Sequence, residues 1–305
     1  MRLIGDAEVR AHADLGAAVD AVAAAFADQA AGRAAIQARQ RIAAGSTKLS
    51  TMAAVLPSQG IAGAKIYTTV DGRFRFVVLL FDANSGAPLA CMEADAFTEI
   101  RTAAVTAAVA QALARPDADV LTVYGTGVQG RAHARALARR FQLVEIRFVS
   151  RGDAAACCAA IADETGVRTV PAAGDAALAG ARLVVTATRS KTPVLSGDAL
   201  AAGSFVAAVG CTLPDGAELD AAAFRRAERV VVEWAPQAFA EAGDLILAEA
   251  AGALRRDAVV EAATALAAPD AHRVSEGGVL VFKSVGIALE DVAVAGAVWR
   301  SIAGG

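Results

Sequence analysis

Three glycines near the middle of the chain have the spacing of a phosphate-binding loop. Gly125, Gly127 and Gly130 lie in the stretch VYGTGVQGRAH, between a run typical of a strand and a run typical of a helix. In such a unit the first glycine permits a tight turn, the second lets the backbone approach a pyrophosphate, and the third lets helix and strand pack closely. An ordinary glycine turn is the alternative. The predicted dinucleotide-binding loop consists of Gly125, Thr126, Gly127, Val128, Gln129 and Gly130.

The residues after the next predicted strand bear on which dinucleotide binds. NAD-specific sites usually place Asp or Glu there, whereas this chain has Ser150 and Arg151. A hydroxyl and a guanidinium suit a ribose 2′-phosphate, which an acid would repel. We therefore expect NADP(H) to be favoured. NAD(H) stays possible, because Asp153 is close and because a solvated surface charge is the alternative explanation for Arg151.

Four cations before the glycine loop stand in apolar surroundings, where a small anionic substrate would find partners. Lys65 lies in the strand-like stretch GAKIY, and Arg101 lies early in an alanine-rich helical run, TEIRTAA. A guanidinium can hold a carboxylate through two parallel hydrogen bonds. Each cation taken alone is explained as well by a solvated charge. The set, which also includes Arg39 and Arg41, forms a site only if the fold brings its members together.

The elements around these residues predict two kinds of domain. Residues 39–92 contain short β-type runs, whereas strands and helices alternate after residue 116, which is typical of a doubly wound parallel sheet. The segment 283–303, KSVGIALEDVAVAGAVWRSIA, is predicted to be a helix with one apolar side that returns to the first domain. We predict a β-rich substrate-binding domain of residues 1–115 and 290–305 and a Rossmann dinucleotide-binding domain of residues 116–289.

Composition disfavours several classes of function. The 29 basic and 32 acidic residues give a net charge of -3 without a basic stripe, so nucleic acid is not an expected partner. Apolar residues make up 56% of the chain, but no run reaches the ~20 strongly apolar residues that span a bilayer. The first residues carry acids where an export signal is apolar, and the cysteines and histidines lack metal-ligand spacing. We expect a cytoplasmic protein with reduced thiols, no metal site and no membrane association.

Six stretches follow one another along the chain: GAKIY, FTEIRTAA, VYGTGVQGRAHARAL, VVTATRSKTPVL, VGCTLPDGAELD and FKSVGIALEDVA. Together they resemble the ornithine cyclodeaminase/mu-crystallin family from Gly63 to Ala293. That family includes ornithine cyclodeaminases, alanine dehydrogenases, cyclic ketimine reductases and NADPH-binding mu-crystallins. The resemblance implies a Rossmann-type parallel sheet plus a β-rich substrate-binding and dimerisation domain, a small carboxylate substrate, and a homodimer.

The resemblance also assigns roles to individual residues. It implies that Lys65 and Arg101 hold the substrate carboxylate facing the nicotinamide, with Arg39 as the third cation and Arg41 as its near rival. Thr188 follows a predicted strand and is expected beside the cofactor. Lys283 resembles a residue that closes the cofactor site, and packing at a helix N-terminus is the alternative.

Two positions depart from the cyclodeaminases of this family. Their aspartate, two residues before a loop proline, is Thr212 here, and their glutamate, two residues before the equivalent of Met52, is Ser50. A threonine is not a general base near neutral pH without special activation, and Asp215 would have to act from a different position.

We therefore predict an NAD(P)H-dependent reductase or dehydrogenase of a small imino or amino acid. The substrate would be a cyclic ketimine such as pyrroline-2-carboxylate, or the reaction would be of the alanine dehydrogenase type. Ornithine cyclodeaminase, with NAD recycled, is the first alternative, and a non-catalytic NADPH-binding protein is the second.

Overall fold

Two separate sheets contain the fourteen strands of residues 1–304, the part of the chain that this computed structural model describes. The first sheet is built from β1 (Arg2–Ile4), β2 (Ala35–Ala44), β3 (Thr47–Leu56), β4 (Ile61–Val70), β5 (Arg73–Asp82) and β6 (Pro88–Glu93). The second is built from β7 (Val120–Tyr124), β8 (Glu145–Val149), β9 (Arg168–Ala172), β10 (Leu183–Thr186), β11 (Ser204–Ala208), β12 (Arg229–Val232), β13 (Val259–Glu261) and β14 (Val279–Lys283).

Eleven α-helices lie between and after these strands within the same described residues. They are α1 (Asp6–His12), α2 (Leu15–Ala30), α3 (Asp95–Leu113), α4 (Val128–Ala138), α5 (Ala155–Thr165), α6 (Ala221–Arg226), α7 (Ala235–Glu241), α8 (Gly243–Ala250), α9 (Ala262–Ala267), α10 (Pro269–His272) and α11 (Ala288–Ala303). None of the described helices is long and apolar enough to cross a bilayer.

The chain divides into two units. Unit 1 contains Met1–Ala108 and the segment that begins at Gly286, and unit 2 contains Val109–Val285. The chain therefore passes between the units twice, once inside α3 and once just before α11. The sequence placed these two divisions at 115/116 and 289/290, and the roles assigned to the two domains stay predictions.

Unit 1 is a mainly antiparallel sheet with one face covered by helices. Its strand order is β1-β6-β5-β4-β3-β2, and only the β1–β6 pair is parallel. Helix α11 packs against α2 and against β2 to β5. Burial alternates along β4, and Lys65 lies on the covered face between Met52 of β3 and Val78 of β5. An alternating strand thus carries a lysine into an apolar layer, where its charge needs a partner.

Unit 2 contains a fully parallel sheet of eight strands in the order β13-β12-β14-β11-β10-β7-β8-β9. Strand β7 comes first in the chain, and later strands are added on both of its sides, so the order reverses between β7 and β10. In open sheets of this kind, ligands bind outside the carboxyl ends of the strands at such a reversal. The Rossmann-type sheet and a separate sheet domain were both predicted, and both are confirmed.

The segment 283–303 was predicted as one helix, and this prediction was wrong at its start. Residues 279–283 form strand β14, and helix α11 begins only at Ala288. Between them, Gly286 has a left-handed φ of 75°, which a helix does not contain. Val285 and Ile287 continue the apolar pattern of α11 towards its N-terminal side, so the sequence pattern began the helix too early.

Candidate substrate and cofactor sites

Lys65 is buried inside unit 1 and has two polar partners. Its Nζ lies 2.9 Å from Oδ1 of Asp291 on α11 and 2.9 Å from Oγ1 of Thr98 on α3. The same ammonium lies 4.8 Å from the centre of the Phe76 ring, on the neighbouring strand β5. Only 2% of Lys65 is exposed, so this lysine is not a solvated surface charge.

Arg101 binds the same carboxylate as Lys65. Its Nε lies 3.0 Å from Oδ1 of Asp291, and its Nη1 lies 3.1 Å from Oε2 of Glu290. Helix α3 places Arg101 one turn after Thr98, so both face the first turn of α11. One carboxylate oxygen therefore joins a lysine from the sheet to an arginine from a helix.

Arg39 reaches the same region because strand β2 is irregular. The pairing of β2 with β3 shifts register between Gln37 and Gln40, which leaves Arg39 in a β-bulge. A bulge redirects the side chain that it carries, and here Nη2 of Arg39 donates a hydrogen bond of 2.8 Å to the carbonyl of Gly286. Arg39 is half-buried, whereas its rival Arg41 pairs regularly with Ser50 and is exposed.

Arg39, Arg101 and Asp291 are close enough for their charges to act on the ammonium of Lys65. The pKa of Lys65 is lowered to about 8, chiefly because the ammonium is buried; the charges of Arg101 and Arg39 also lower it, and Asp291 raises it. With Glu290, the cluster contains three cations and two carboxylates, all within unit 1. The structure thus brings together Arg39, Lys65 and Arg101, as the sequence analysis required.

Glu290 and Asp291 are the site residues that sequence reasoning missed. Both are fully buried in the first turn of α11. A signal was present, because these are the only two acids in the otherwise apolar stretch ALEDVAVAGAVW. Acids in a first helical turn are common, since they favour the helix dipole, and the sequence therefore gave no reason to connect them with distant cations.

The glycine loop of unit 2 has the shape that a pyrophosphate requires. Gly125 has a φ of 108°, and a β carbon there would lie 2.6 Å from the carbonyl oxygen of Ala187. A β carbon on Gly130 would overlap the carbonyl of Gly125, so only glycine lets α4 approach β7 so closely. Gly127 caps α4, is exposed, and has open space where its β carbon would be. A phosphate can therefore approach the backbone at Gly127 and the N-terminus of α4.

The residues expected at the adenosine ribose follow β8 in the same unit. Ser150 is half-buried and Arg151 is exposed. Oδ1 of Asp153 accepts a hydrogen bond of 2.8 Å from the backbone N–H of Ala155 at the start of α5. Asp153 is thus engaged in local backbone capping.

Glu218 ties together the two loops that follow β10 and β11. Its Oε1 accepts hydrogen bonds of 2.7 Å from both the N–H and the hydroxyl of Thr188, and its Oε2 accepts one of 2.7 Å from the N–H of Gly210. Oε2 also accepts from Thr186 and Cys211. Thr188, expected beside the cofactor, is therefore fixed by a buried acid that the sequence analysis did not single out.

Lys283 ends strand β14 and is fully buried in unit 2. Its Nζ lies 2.8 Å from Oδ2 of Asp244 and donates a 2.6 Å hydrogen bond to the carbonyl of Cys211. Asp244 in turn accepts from the N–H groups of Glu218 and Leu219. Lys283 thus holds the loop after β11 and also contacts the first turn of α8 through Asp244.

The loop after β11 contains no acid in the cyclodeaminase position. Thr212 is half-buried there, and Asp215 is exposed and forms an ion pair of 2.6 Å with Lys191. The hydrogen bond and charge of Lys191 hold the pKa of Asp215 below its usual value. Burial raises the pKa of the Cys211 thiol, so this cysteine is not an activated nucleophile. Within residues 1–304 no three His, Cys, Asp or Glu side chains form a group that could hold a metal ion.

Comparison with known proteins places the chain in a family. A reductase of Δ1-pyrroline-2-carboxylate and Δ1-piperideine-2-carboxylate from Azospirillum brasilense is 37% identical over 233 residues, 76% of this chain and 70% of the reductase. The crystal structure of a probable ornithine cyclodeaminase from Bordetella pertussis Tohama I is 46% identical, with a TM-score of 0.96, over 100% of this chain and 97% of that chain.

A third similar protein contains a bound dinucleotide. The structure of iminosuccinate reductase from Paracoccus denitrificans in complex with NAD+ is 27% identical, with a TM-score of 0.92, over 100% of this chain and 97% of that chain. The family model for ornithine cyclodeaminase and mu-crystallin matches residues 2–305. With the fold, the glycine loop and the cation cluster described above, this match shows that the chain belongs to the ornithine cyclodeaminase/mu-crystallin family.

Proposed function

We propose that this chain is an NAD(P)H-dependent reductase of a small 2-imino acid, with a cyclic ketimine such as pyrroline-2-carboxylate as its substrate. The observation that carries the proposal is the meeting of Arg39, Lys65 and Arg101 in unit 1, around the first turn of α11. The Azospirillum relative is named as a reductase of two such ketimines, which supports the same reaction.

The residues of the glycine loop fit a nicotinamide dinucleotide. The open space at Gly127, the exposed start of α4 and the close packing at Gly125 and Gly130 are the features that a bound pyrophosphate needs. When bound, the reduced nicotinamide supplies the hydride that the imine carbon accepts. The protein's own part is to hold the substrate and to provide the proton.

The substrate carboxylate is held by the cation cluster. Arg39 and Arg101 are guanidinium groups, which bind a carboxylate through paired hydrogen bonds. Their other contacts, to Gly286 and to the acids of α11, fix the guanidinium planes before a substrate arrives. Binding therefore costs little side-chain ordering, and the imine carbon is held in one orientation.

Lys65 is the proton donor in this proposal. Because its pKa is lowered to about 8, its ammonium is present at neutral pH and gives up a proton more easily than an ordinary lysine. The ammonium transfers one proton to the imine nitrogen, which makes the imine carbon more electrophilic. Lys65 is left as a neutral amine and regains its proton from water after the product amino acid leaves.

Ornithine cyclodeaminase is the second candidate, because the similar Bordetella structure is described as a probable one. The residues of this chain favour it less. Thr212 replaces the acid that would handle protons on the substrate amine, Ser50 replaces a glutamate, and Asp215 is engaged with Lys191.

One pair of assays separates the candidates. With pyrroline-2-carboxylate and reduced nicotinamide, we expect the reduced-nicotinamide absorbance to fall in proportion to the proline formed. With ornithine and a catalytic amount of NAD, we expect neither ammonia nor proline. Ammonia and proline made from ornithine without net cofactor consumption would replace the first candidate by the second. Tight NADPH binding with no turnover of any 2-imino acid would favour a non-catalytic NADPH-binding protein.

We further propose that NADP(H) is preferred over NAD(H). Ser150 and Arg151 follow β8, and the nearest acid, Asp153, already accepts a backbone N–H of α5. This arrangement supports a 2′-phosphate contact, since no free carboxylate directly follows the strand.

A homodimer and a cytoplasmic location complete the proposal. The face of the first sheet opposite α11 is apolar and half-exposed, with Ala53, Ala64, Leu79 and Cys91 in one row across four strands. Val55 and Phe81, on the same face, are 42% and 36% exposed. A half-exposed apolar face supports pairing with a second copy. The four cysteines are free thiols, as is usual in the cytoplasm.

A further inference from the structure

Oδ1 of Asp291 is shared by two cations from different elements. Lys65 of β4 lies 2.9 Å from it and Arg101 of α3 lies 3.0 Å from it. Asp291 is fully buried, and its second oxygen, Oδ2, has no hydrogen-bond partner among the described residues. A buried carboxylate oxygen without a partner carries a cost, which the contacts of Oδ1 with the two cations must offset.

We propose that Asp291 is a positioning residue that holds Lys65 and Arg101 at a fixed separation and keeps Lys65 protonated inside unit 1. The inference deepens the function proposed above, and it rests on that proposal for the role of Lys65 as proton donor. Asp291 itself touches neither substrate nor cofactor in this scheme, because it acts through Lys65.

The surroundings of Lys65 contain one anion in direct contact. Desolvation disfavours a buried ammonium, so an uncompensated lysine would lose its proton near neutral pH. The side chains that face Lys65 come from every element packed against it: Asp291 from α11, Thr98 and Arg101 from α3, Arg39 from β2, Met52 from β3, and Phe76 and Val78 from β5. Among these, Asp291 alone is negative, whereas the two arginines repel the ammonium.

Glu290 provides a matched control on the same helix. It is equally buried, carries the same charge, and precedes Asp291 by one residue, but it contacts Nη1 of Arg101. If the acids served only to stabilise the start of α11 through the helix dipole, the two would be equivalent. The proposal instead makes Asp291 alone responsible for the state of Lys65.

The chain contains only four lysines, Lys48, Lys65, Lys191 and Lys283, which permits a direct measurement. Labelling the lysine ε carbons with ¹³C gives four signals, and each moves when its ammonium loses a proton. Lys65→Arg identifies the signal of Lys65 by removing it. This titration needs neither substrate nor turnover, so its outcome is separate from that of the reductase assay.

In the wild-type protein we expect the Lys65 signal to titrate near pH 8. In Asp291→Asn the midpoint should fall by about one pH unit or more, the size of shift that a contacting opposite charge produces. In Glu290→Gln the midpoint should move by less than half as much. Asp291→Glu keeps the charge and should restore a midpoint close to that of the wild type. In the reduction assay, the pH at which the rate begins to fall should follow the same order.

Two results would overturn the proposal. The first is a Lys65 midpoint that is equal in Asp291→Asn and in the wild type, or that shifts equally in Glu290→Gln. The second needs no variant and applies even if Asp291→Asn does not fold. A wild-type midpoint at about pH 5 to 6, as found for buried lysines without an effective counter-ion, would show that Asp291 does not keep Lys65 charged.

Discussion

The guanidinium of Arg101 packs directly on the backbone of Gly286. A β carbon at position 286 would lie 2.8 Å from both terminal nitrogens of Arg101, and the φ of Gly286 is 75°. The carbonyl of the same glycine accepts the hydrogen bond from Arg39. One residue at the start of the returning segment therefore fixes two of the three cations that we assign to the substrate carboxylate.

Gly286→Ala should weaken substrate binding. The added methyl group must displace the guanidinium of Arg101, and a non-glycine residue in the left-handed region adds strain of about 1–3 kcal/mol. We expect the KM for the 2-imino acid to rise by about tenfold or more, while the Kd for the reduced dinucleotide changes little. Steady-state kinetics and a cofactor fluorescence titration measure the two quantities.

Gly32→Ala is the matched control for that variant. Gly32 has a similar φ of 68°, but a β carbon there meets nothing within 4 Å. It therefore carries the backbone strain without the collision. If Gly32→Ala raised KM as much as Gly286→Ala, contact with Arg101 would not be the cause.

Lys65→Ala should abolish most turnover without loss of the cofactor. A positioned proton donor typically contributes about 10²–10⁴-fold to a rate, and the glycine loop belongs to unit 2, to which Lys65 does not contribute. Rapid-mixing measurements of the rate with bound reduced dinucleotide test this directly. Lys65→Arg keeps a positive charge but is a poor proton donor, so it should retain more substrate affinity than rate. Near-normal turnover in Lys65→Ala would contradict the proposed role.

The rate of imine reduction should fall as the pH rises through about 8, because the Lys65 ammonium is lost there. A wild-type rate that stays level to pH 10 would refute the assignment of Lys65 as the proton donor.

The contribution of Lys65 to stability should respond to pH in the opposite sense. In the unfolded chain Lys65 has its ordinary value of 10.5, so between about 8 and 10.5 the unfolded state binds more protons than the folded state. The contribution of Lys65 to the free energy of unfolding therefore rises with pH across that window. Chemical denaturation of the wild type and of Lys65→Ala at several pH values isolates this contribution.

Arg151→Ala should discriminate between the two dinucleotides. If its guanidinium binds a 2′-phosphate, the Kd for NADPH should rise by about tenfold or more, the size of a charge-assisted contact. The Kd for NADH should stay within a factor of two. Equal weakening of both dinucleotides would remove the reason for preferring NADP(H).

Leu79→Glu should disrupt the proposed homodimer. Leu79 lies in the middle of the apolar face of the first sheet, beside Ala64 and Cys91. A charge buried there without a partner opposes association. Light scattering should give a mass about twice 30.7 kDa for the wild type and near 30.7 kDa for the variant. Val144→Glu, which adds the same charge at a residue that is 61% exposed in unit 2, should remain a dimer. A monomeric wild type would contradict the proposal outright.

The parts of the fold that depend on local pattern were predictable from the sequence. The glycine spacing at 125–130 is followed by helix α4 and preceded by strand β7, and the alternation in GAKIYTTV gives strand β4. Each depends on residues that are neighbours in the chain. Local pattern also gave the series of parallel strands, because strand and helix runs alternate with short spacing.

Features that depend on distant residues were not predictable. The sequence left Arg39 and Arg41 as rivals, because the bulge at Gln37–Gln40 that separates them exists only when β2 pairs with β3. Asp291 and Lys65 are 226 positions apart in the chain, and no spacing rule connects them. The same holds for Glu218, whose carboxylate organises two loops although its own surroundings in the sequence, DGAELD, are typical of a turn.

The order in which the parts of this protein emerge during synthesis follows from the placement of α11. All of unit 2 is translated before the acids of α11 exist, so unit 2 can fold while unit 1 still lacks the counter-ions for its buried lysine and arginine. A nascent chain whose residue 285 has left the ribosome, but whose α11 has not, would thus contain all of unit 2 joined to a unit 1 that still lacks Glu290 and Asp291. The cation cluster of unit 1 can therefore assemble only after unit 2 has been synthesised, when α11 packs on the first sheet.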